Sequence, residues 1–238
     1  MPSEPPPKKP TLVIATGNAH KVQEIRAILG DRFLYLSLVD LPAAPKVIED
    51  APSFVGNATK KAVTLAKWVA ANGTQGVNPP SATLFVLADD SGLEVDAIGG
   101  APGVHSARFA GHDSGKAGNS SDVANNAKLM RLLNDVPQEK RTARFRCVLA
   151  LTPITSLSPE NASPVCYTDE MELQTQTFEG VCEGKIGLGP KGQGGFGYDP
   201  LFIPSGFDQT YAELGEQTKN TLSHRAKALA KLRQHLSR

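Results

Sequence analysis

Two adjacent carboxylates, Asp89 and Asp90, end a short apolar run that begins at Leu84 and precede Ser91 and Gly92. A short apolar run bounded by turn residues is typical of a buried strand. Burying two ionisable acids is costly unless positive charge meets them, and successive side chains of a strand point to opposite sides. The pattern therefore predicts a strand tip at which one acid faces a cation and the other braces the turn.

The segment from Ile14 to Lys21 predicts an anion site at the start of a helix. A strand that ends in a tight turn before a helix offers free backbone N–H groups and the positive end of the helix dipole. Thr16 and Asn18 add side-chain donors, and Lys21 lies one turn into the helix. The alternative is structural, because Asn18 can simply cap the helix while Lys21 is solvated.

Glu49 and Asp50 form a second acidic pair on a loop before a long predicted helix. Paired carboxylates are usually solvated or lie at helix N-termini. Together with Asp89 and Asp90, they supply enough oxygen ligands for a Mg²⁺ ion that keeps part of its water and binds substrate phosphates. The lysines on the helix that follows are interpreted as its solvent-exposed face: Lys60, Lys61 and Lys67.

A glycine-rich segment, residues 187–197, contains a literal G-x-G-x-x-G pattern that starts at Gly187. A proline and further glycines disfavour the helix start that a dinucleotide site needs, so such a site is excluded. The glycines instead let backbone approach a ligand closely or form a lid. Phe196 and Tyr198 could stack on a nucleobase that donates to Asp199, whereas the alternative is ordinary core aromatics.

The segment from Lys219 to Arg225 places His224 and Arg225 at the start of the last predicted helix, with Ser223 as its N-cap. A basic first turn opposes the helix dipole, which favours a functional reason for it. Arg225 could hold a phosphate or a carbonyl oxygen through paired donors.

These segments must be positioned by a fold of mixed strands and helices. Strands are predicted near 11–15, 33–39, 84–90, 93–98, 144–151, 165–179 and 181–186. Helices are predicted from the turn at 16–18 to 29, and over 54–71, 122–133 and 222–236. Residues 110–121 and 153–164 are predicted loops, and residues 1–10 a disordered Pro-rich tail. The elements do not alternate strictly, so we expect an α/β (α+β) fold with a mixed sheet.

Composition excludes several classes of protein. A net charge of +1 over 238 residues argues against a broad nucleic-acid-binding face. No apolar run approaches the ~18 residues that a membrane span needs, and the N-terminus lacks the apolar stretch of a signal peptide. Three cysteines without a C-x-x-C pair fit buried, reduced thiols in a cytoplasm.

Taken in order, five segments resemble the non-standard purine nucleoside triphosphate pyrophosphatases, also called inosine triphosphate pyrophosphatases. The matching segments are 15–21, 88–93, 99–108, 195–200 and 223–225. The Gly-Phe-Gly-Tyr-Asp sequence of 195–199 is similar to that of the bacterial branch. The match spans about residues 11–236 and so leaves out little besides the tail.

The resemblance implies that a purine nucleoside triphosphate is hydrolysed between its α- and β-phosphates, which releases the monophosphate and pyrophosphate. ITP, dITP and XTP are the implied substrates and Mg²⁺ the implied cofactor. The resemblance also implies a homodimer, whereas the composition favours a cytoplasmic protein that binds neither nucleic acid nor membrane. Its fold would be inosine triphosphatase-like, a single domain over 11–238 with helices flanking the sheet and an active-site cleft between two lobes.

Carried over position by position, the resemblance implies a role for each motif residue. Glu49 and Asp90 would hold Mg²⁺, and Asp90 would accept a proton from the attacking water. Ser91 would contact substrate. Independently of the resemblance, the position of Asp89 at the strand tip favours a brace for the turn at Ser91 and Gly92, with metal ligation as the alternative. The phosphates would bind to Thr16, Gly17, Asn18 and Lys21. The base pocket would be formed by Phe196, Gly197, Tyr198 and Asp199, completed by Lys219, His224 and Arg225.

One position departs from the family pattern, because Gly56 stands where the family usually has a glutamate. The connector over 72–83 is also longer than is typical of the family. Two alternatives follow, a pyrophosphatase for other modified nucleotides such as damaged pyrimidines, and a nucleotide-binding module that does not hydrolyse. Only Gly56 favours the second, and the retained Lys21, Glu49 and Asp90 count against it.

Overall fold

The computed structural model describes residues 9–74, 83–113, 118–154 and 170–237. Six strands among them form one sheet in the order β2-β1-β3-β4-β5-β6. The strands are β1 Thr11–Ile14, β2 Leu34–Ser37, β3 Leu84–Val95, β4 Thr142–Ile154, β5 Gln176–Ile186 and β6 Phe202–Pro204. β1 runs parallel to β2 and β3, whereas β5 and β6 are antiparallel. The predicted mixed sheet is therefore confirmed.

The helices of the described residues flank these strands in the chain. They are α1 Ala19–Leu29, α2 Phe54–Asn72, α3 Phe109–His112, α4 Asp122–Leu132, α5 Glu170–Gln174, α6 Tyr211–Leu222 and α7 His224–His235. The predictions for α1, α2, α4 and α7 are confirmed, but α6 was not predicted. It begins with a capping box between Thr210 and Glu213 and contains Gly215 at φ +78°, which interrupts the helical periodicity.

The prediction that the first acidic strand ends at its carboxylates is wrong. β3 continues through Asp89 and Asp90 to Val95, and a 3₁₀ turn replaces the separate strand expected over 93–98. Gly92 lies inside β3 and not in a turn. A Cβ there would lie 2.4 Å from the Gly103 carbonyl oxygen and 2.6 Å from Oγ of Ser106. The glycine therefore lets the 103–106 segment lie directly against the strand.

The strands expected over 165–179 and 181–186 are also wrong in detail. Helix α5 occupies Glu170–Gln174, and β5 is one continuous strand. The hydroxyl of Thr175 donates to the Met171 carbonyl at 2.6 Å and lies 2.8 Å from that of Thr152. These contacts and the buried Met171 side chain outweigh the strand propensity of the segment. Residues 1–8, 75–82, 114–117 and 155–169, on which further predictions fall, lie outside the described residues.

The chain divides into two compact units, of which the first comprises Met1–Ala51, Val55–Asp89 and Leu149–Thr177. All four residues of β1 are buried. β1 has parallel neighbours on both sides, β2 and β3. Such strands are buried on both faces and therefore consist of a continuous run of apolar residues. The core of this unit includes Leu12, Val13, Ile14, Ile25, Ala58, Ala62, Val86 and Leu87.

The second unit comprises Pro52–Phe54, Asp90–Val148 and Phe178–Arg238. Its core is rich in aromatic rings around Phe145, which lies 4.8 Å edge-on from Phe202 and stacks on His224 at 4.7 Å. Cys147 and Cys182 are buried, and burial raises the pKa of the Cys182 thiol. The single two-lobed domain over 11–238 stays a prediction. No helix of the described residues is long and apolar enough to cross a membrane.

Candidate active site

The turn between β1 and α1 is closed by its own side chains. Oδ1 of Asn18 accepts hydrogen bonds from the N–H groups of His20 at 3.0 Å and Lys21 at 3.3 Å. Oγ1 of Thr16 accepts one from the Asn18 N–H at 3.2 Å. Asn18 is therefore the N-cap that the structural alternative predicted. Gly17 is exposed, and nothing lies within 4 Å of the place where its Cβ would be, so a ligand can approach the backbone here.

Lys21 meets the first of the two acids on β3. Its Nζ donates a hydrogen bond to Oδ1 of Asp89, and the Asp89 side chain is fully buried. A buried carboxylate needs such a partner, because an unpaired one would be strongly destabilising. Asp89 thus supports the lysine of the turn on α1, rather than a turn at Ser91 and Gly92 as was predicted.

Lys61 on α2 is not part of a solvent-exposed face, contrary to its predicted role. It is 8% exposed, and its Nζ donates to Oε1 of Glu49 at 3.0 Å and to the Asp89 carbonyl at 2.8 Å. Lys60 does lie on the exposed face, where it pairs with Asp50 at 2.6 Å. A signal for Lys61 existed in the sequence, since it follows the buried Ala58 by three residues and so shares its face of the helix.

The acidic loop is also anchored by Asn57, which the sequence analysis did not single out. Asn57 is fully buried, and its Oδ1 accepts a hydrogen bond from the Ala51 N–H at 3.0 Å. Asn57 and Lys61 therefore tie two points of the 49–51 loop to α2. The neighbouring Gly56, which departs from the family pattern, is half-buried at the start of the same helix.

Asp199 is the centre of the second group of predicted site residues. It is 2% exposed, and its Oδ2 accepts hydrogen bonds from the Phe196 N–H at 2.9 Å and from Nζ of Lys219 at 2.6 Å. Gly195, at φ +76°, permits this turn, since a Cβ there would lie 2.1 Å from Oδ2 of Asp199. The carboxylate thus organises its own loop besides any contact with a ligand.

The two aromatic residues of this loop differ in what they offer. The Phe196 ring is half-buried, with Nζ of Lys219 4.3 Å and Cζ of Arg225 5.9 Å from its centroid. Tyr198 is buried in the core of its unit, and its hydroxyl donates to the Ser106 carbonyl at 2.9 Å. Burial raises the pKa of Tyr198. Tyr198 is therefore a core aromatic, as the alternative interpretation predicted. Phe196 is more exposed than Tyr198 and so is the more accessible ring for stacking.

The start of α7 brings Arg225 to the strand that carries the acids. Its side chain is 1% exposed, and Nη2 donates to Oγ of Ser91 at 3.3 Å. Ser223 caps the helix as predicted, because its Oγ accepts from the Ala226 N–H at 3.1 Å. His224 stacks on Phe145 with an angle of 11° between the rings. Ser91, His224 and Arg225 thus belong to one packed group within the second unit.

Comparison with known proteins assigns this arrangement to a family. The sequence model of the Ham1 family matches residues 12–235. The chain belongs to the Ham1 family.

Relatives of this Ham1 chain match it over nearly their whole length. A dITP/XTP pyrophosphatase of Geobacter sulfurreducens is 47% identical over 226 residues, which cover 94% of this chain and 96% of the relative. One of Desulforamulus reducens is 43% identical over 228 residues, which cover 95% and 96%. A solved HAM1 protein from Coxiella burnetii is 32% identical with a TM-score of 0.72, covering 96% of this chain and 98% of that one. The fold is therefore inosine triphosphatase-like, and the chain is a member of an enzyme family.

The glycine-rich segment of the Ham1 chain approaches a helix closely at two of its glycines. A Cβ on Gly192 would lie 2.6 Å from the backbone carbon of Ala212 on α6, and one on Gly194 would lie 3.1 Å from its oxygen. Oγ1 of Thr210 donates to the Lys191 carbonyl at 2.9 Å. The segment is thus bound to the start of α6 at these positions, and its close approach to a ligand stays a prediction.

The carboxylates of the Ham1 chain would suit a magnesium ion that keeps part of its water better than one surrounded by protein ligands alone. Among residues 9–74, 83–113, 118–154 and 170–237, no group of three or more His, Cys, Asp or Glu side chains could hold a metal. Mg²⁺ is usually bound through one or two carboxylates, several waters and substrate phosphates. Glu49 is half-buried and Asp90 is 5% exposed. Both carry carboxylate oxygens, the type of ligand that this mode uses, and their role as metal ligands stays a prediction.

Proposed function

We propose that this Ham1 chain hydrolyses dITP, XTP and ITP to the monophosphate and pyrophosphate, and so removes them from the nucleotide pool. The names of relatives that match the chain from end to end support this assignment. The observation that carries it is the pair of consecutive buried acids on β3. Lys21 offsets the charge of Asp89, and Asp90 is the next residue along the strand, with its side chain on the opposite face.

The triphosphate is assigned to the β1–α1 turn and to Lys21. Cleavage of a phosphoanhydride depends on positioning and charge neutralisation far more than on covalent chemistry. Asp89 holds Lys21 on the first turn of α1 and so limits the freedom of the lysine ammonium. The half-buried Thr16 and the exposed Gly17 and Asn18 form the turn beside it.

Asp90 is assigned as the general base that takes a proton from the attacking water. An ionised carboxylate can orient a water molecule and deprotonate it. Mg²⁺, when held by Glu49 and Asp90, would neutralise the charge that develops on the phosphates. Lys61 donates to Glu49 and so keeps this carboxylate in place.

The base is assigned to Phe196 and to the donors around it. Phe196 offers a ring for stacking, and Arg225 and His224 are the proposed donors to the 6-oxo group. Gly197, Tyr198, Asp199 and Lys219 shape the loop that carries the ring. Adenine places an amine where hypoxanthine has an oxygen, so a donor at that point is left unpaired by ATP. Guanine keeps the oxygen but adds a 2-amino group, so rejection of GTP requires a clash with that amine. Such a mismatch can reduce catalytic efficiency by several powers of ten.

Product analysis of the purified chain tests this proposal. The chain is incubated with ITP, dITP, XTP, ATP, GTP and damaged pyrimidine triphosphates, with Mg²⁺ or with EDTA. We expect IMP and pyrophosphate from ITP with Mg²⁺, and little turnover of ATP and GTP. Release of orthophosphate would refute the assignment, and a preference for the pyrimidines would favour the alternative substrate class. Binding of ITP without product over hours would favour a non-hydrolysing module.

We also propose that the chain acts as a homodimer in the cytoplasm, where the nucleotide pool lies, and that it binds neither nucleic acid nor membrane. The net charge of +1 supports the absence of a nucleic-acid partner. Light scattering of the purified chain measures the oligomeric state, and a monomer at all concentrations would refute the dimer.

A further inference from the structure

Two side chains of α4 hold the backbone of Gly197, between Phe196 and Tyr198. Oδ2 of Asp122 accepts a hydrogen bond from the Gly197 N–H at 2.7 Å. Nδ2 of Asn126 donates one to the Gly197 carbonyl at 3.0 Å. We propose that Asp122 and Asn126, named here the Gly197 clamp, position Phe196 and so set the base selectivity of the enzyme, a role that rests on the proposed function.

Gly197 is a residue that packing cannot hold. Its φ of +63° lies in the left-handed region, and no atom lies within 4 Å of the place where a Cβ would be. Glycine also has more backbone freedom to lose than any other residue. Its N–H belongs to the peptide group shared with Phe196, and its carbonyl belongs to the one shared with Tyr198. The two hydrogen bonds therefore fix both peptide planes.

The clamp residues are arranged in advance by the helix. Asp122 and Asn126 are four residues apart, which places them beside each other on one face of α4. Ser121 caps the helix, and its Oγ accepts from the Ala124 N–H at 3.2 Å. An acidic residue in the first turn is favoured by the helix dipole. Asp122 is thus stable at this position before it contacts Gly197.

Helix α4 is itself anchored to a neighbouring segment. Oδ1 of Asn125 accepts from the Ala110 N–H at 2.8 Å, and its Nδ2 donates to the Ala107 carbonyl at 3.3 Å. Nζ of Lys128 donates to the Phe109 carbonyl at 2.7 Å. These bonds restrain the helix, so a shift of Gly197 relative to it has to break the clamp.

Phe196 is held on one side by the hydrogen bond from its N–H to Asp199 and on the other side by the clamp on Gly197. Tyr198 is held independently by its hydroxyl and by its place in the core. Phe196 is only half-buried, and its ring lies 4.3 Å from Nζ of Lys219 and 5.9 Å from Cζ of Arg225. A displacement of the Gly197 backbone would carry the neighbouring Phe196 with it and so change the position of the ring relative to both cations. The clamp therefore keeps the stacking surface beside the donors that read the base.

The contribution of the Asn126 side chain is the hydrogen bond that its NH2 group donates. Its Oδ1 is buried, and no hydrogen-bond partner for it is found among the described residues. Buried acceptors of this kind are few in native proteins. A leucine of similar size would avoid the cost of the unpaired oxygen, so the donation to Gly197 is what the amide contributes.

Two isosteric substitutions give opposite predictions for the clamp. Asp122→Asn keeps an acceptor for the Gly197 N–H, and we expect KM for ITP to stay within about threefold of wild type. Asn126→Asp replaces the donor by an acceptor that repels the Gly197 carbonyl. We expect it to raise KM for ITP about tenfold and to lower the ITP-to-ATP ratio of kcat/KM similarly, while kcat changes less than about threefold. The control is Asn134→Ala, an exposed amide that donates to Asp135 at 2.9 Å.

Unfolding curves and calorimetric titration with IMP complete the test. Asn126→Leu replaces Asn126→Asp if the latter does not fold, and it carries the same expected loss. If the wild-type chain releases no pyrophosphate from any triphosphate, the proposed function is refuted. The clamp is then tested by comparing the IMP affinity of the variants with that of the wild type. The clamp would be overturned if a folded Asn126 variant kept the selectivity and the IMP affinity of the wild type. It would also be overturned if the wild-type chain bound no IMP.

Discussion

Lys219 and Asp199 form an ion pair with 2.6 Å between Nζ and Oδ2, and both side chains are no more than 4% exposed. The pair joins α6 to the loop that carries Phe196. A buried pair contributes less than its Coulomb energy, but the removal of one partner leaves an uncompensated charge. The relationship therefore ties the stability of the second unit to the same residues that are assigned to the base pocket.

Lys219→Met should lower the free energy of unfolding by about 3 kcal/mol, because Asp199 then remains buried without its cation. Urea unfolding followed by circular dichroism measures the change. The control is Lys60→Met, which breaks an exposed pair with Asp50 and should have no measurable effect. Equal stabilities of the two variants would show that the buried charge is compensated by other groups.

Asp90→Asn should lower kcat for ITP by a factor of about 10² or more, because the amide cannot accept a proton from water. The fold should be retained, since the amide is isosteric with the carboxylate. Steady-state kinetics with pyrophosphate detection measures the loss, and Asp50→Asn is a control at an exposed acid. Retention of most of the activity in Asp90→Asn would assign the base to another group.

Gly180→Ala should destabilise the chain by about 1 to 3 kcal/mol through overpacking. A Cβ at Gly180 would lie 2.0 Å from the His224 carbonyl oxygen and 2.5 Å from the Ala228 nitrogen, both on the backbone of α7. Gly189→Ala is the matched control, because nothing lies within 4 Å of its Cβ position. Thermal unfolding compares them, and an undiminished melting temperature in Gly180→Ala would contradict the close approach of α7 to β5.

Stability should fall as the pH drops below about 6.5, the ordinary pKa of histidine, in part through His105. Burial, followed by the charges of His112 and Arg108, lowers the pKa of His105 in the folded chain. Between the two pKa values the unfolded chain binds more protons, so stability rises with pH across that window. Unfolding curves from about pH 5 to pH 7.5 should therefore be less pH-dependent in His105→Gln. His20→Gln, at an exposed position, is the control, and an identical slope in His105→Gln would exclude the effect.

Several features that depend on neighbours in the chain were predicted correctly, although α6 with its local capping box was not. Helix α1 with its Asn18 cap and α7 with its Ser223 cap follow from side chains that reach backbone groups two or three residues away. The order of the five motifs along the chain was enough to indicate the family, which the match to the Ham1 model confirms. Local hydrogen bonding and periodicity are written directly into the order of the residues.

Features that depend on distant partners were decided only by folding. Asp89 meets a lysine 68 residues earlier, and Arg225 meets a serine 134 residues earlier. Lys61 lies buried between Glu49 and the Asp89 backbone, although a lysine on a helix is most often solvated. Gly92 lies inside a strand, and a segment distant in the sequence packs against it there. Such contacts depend on which surfaces the chain brings together, and residue type and spacing do not specify that choice.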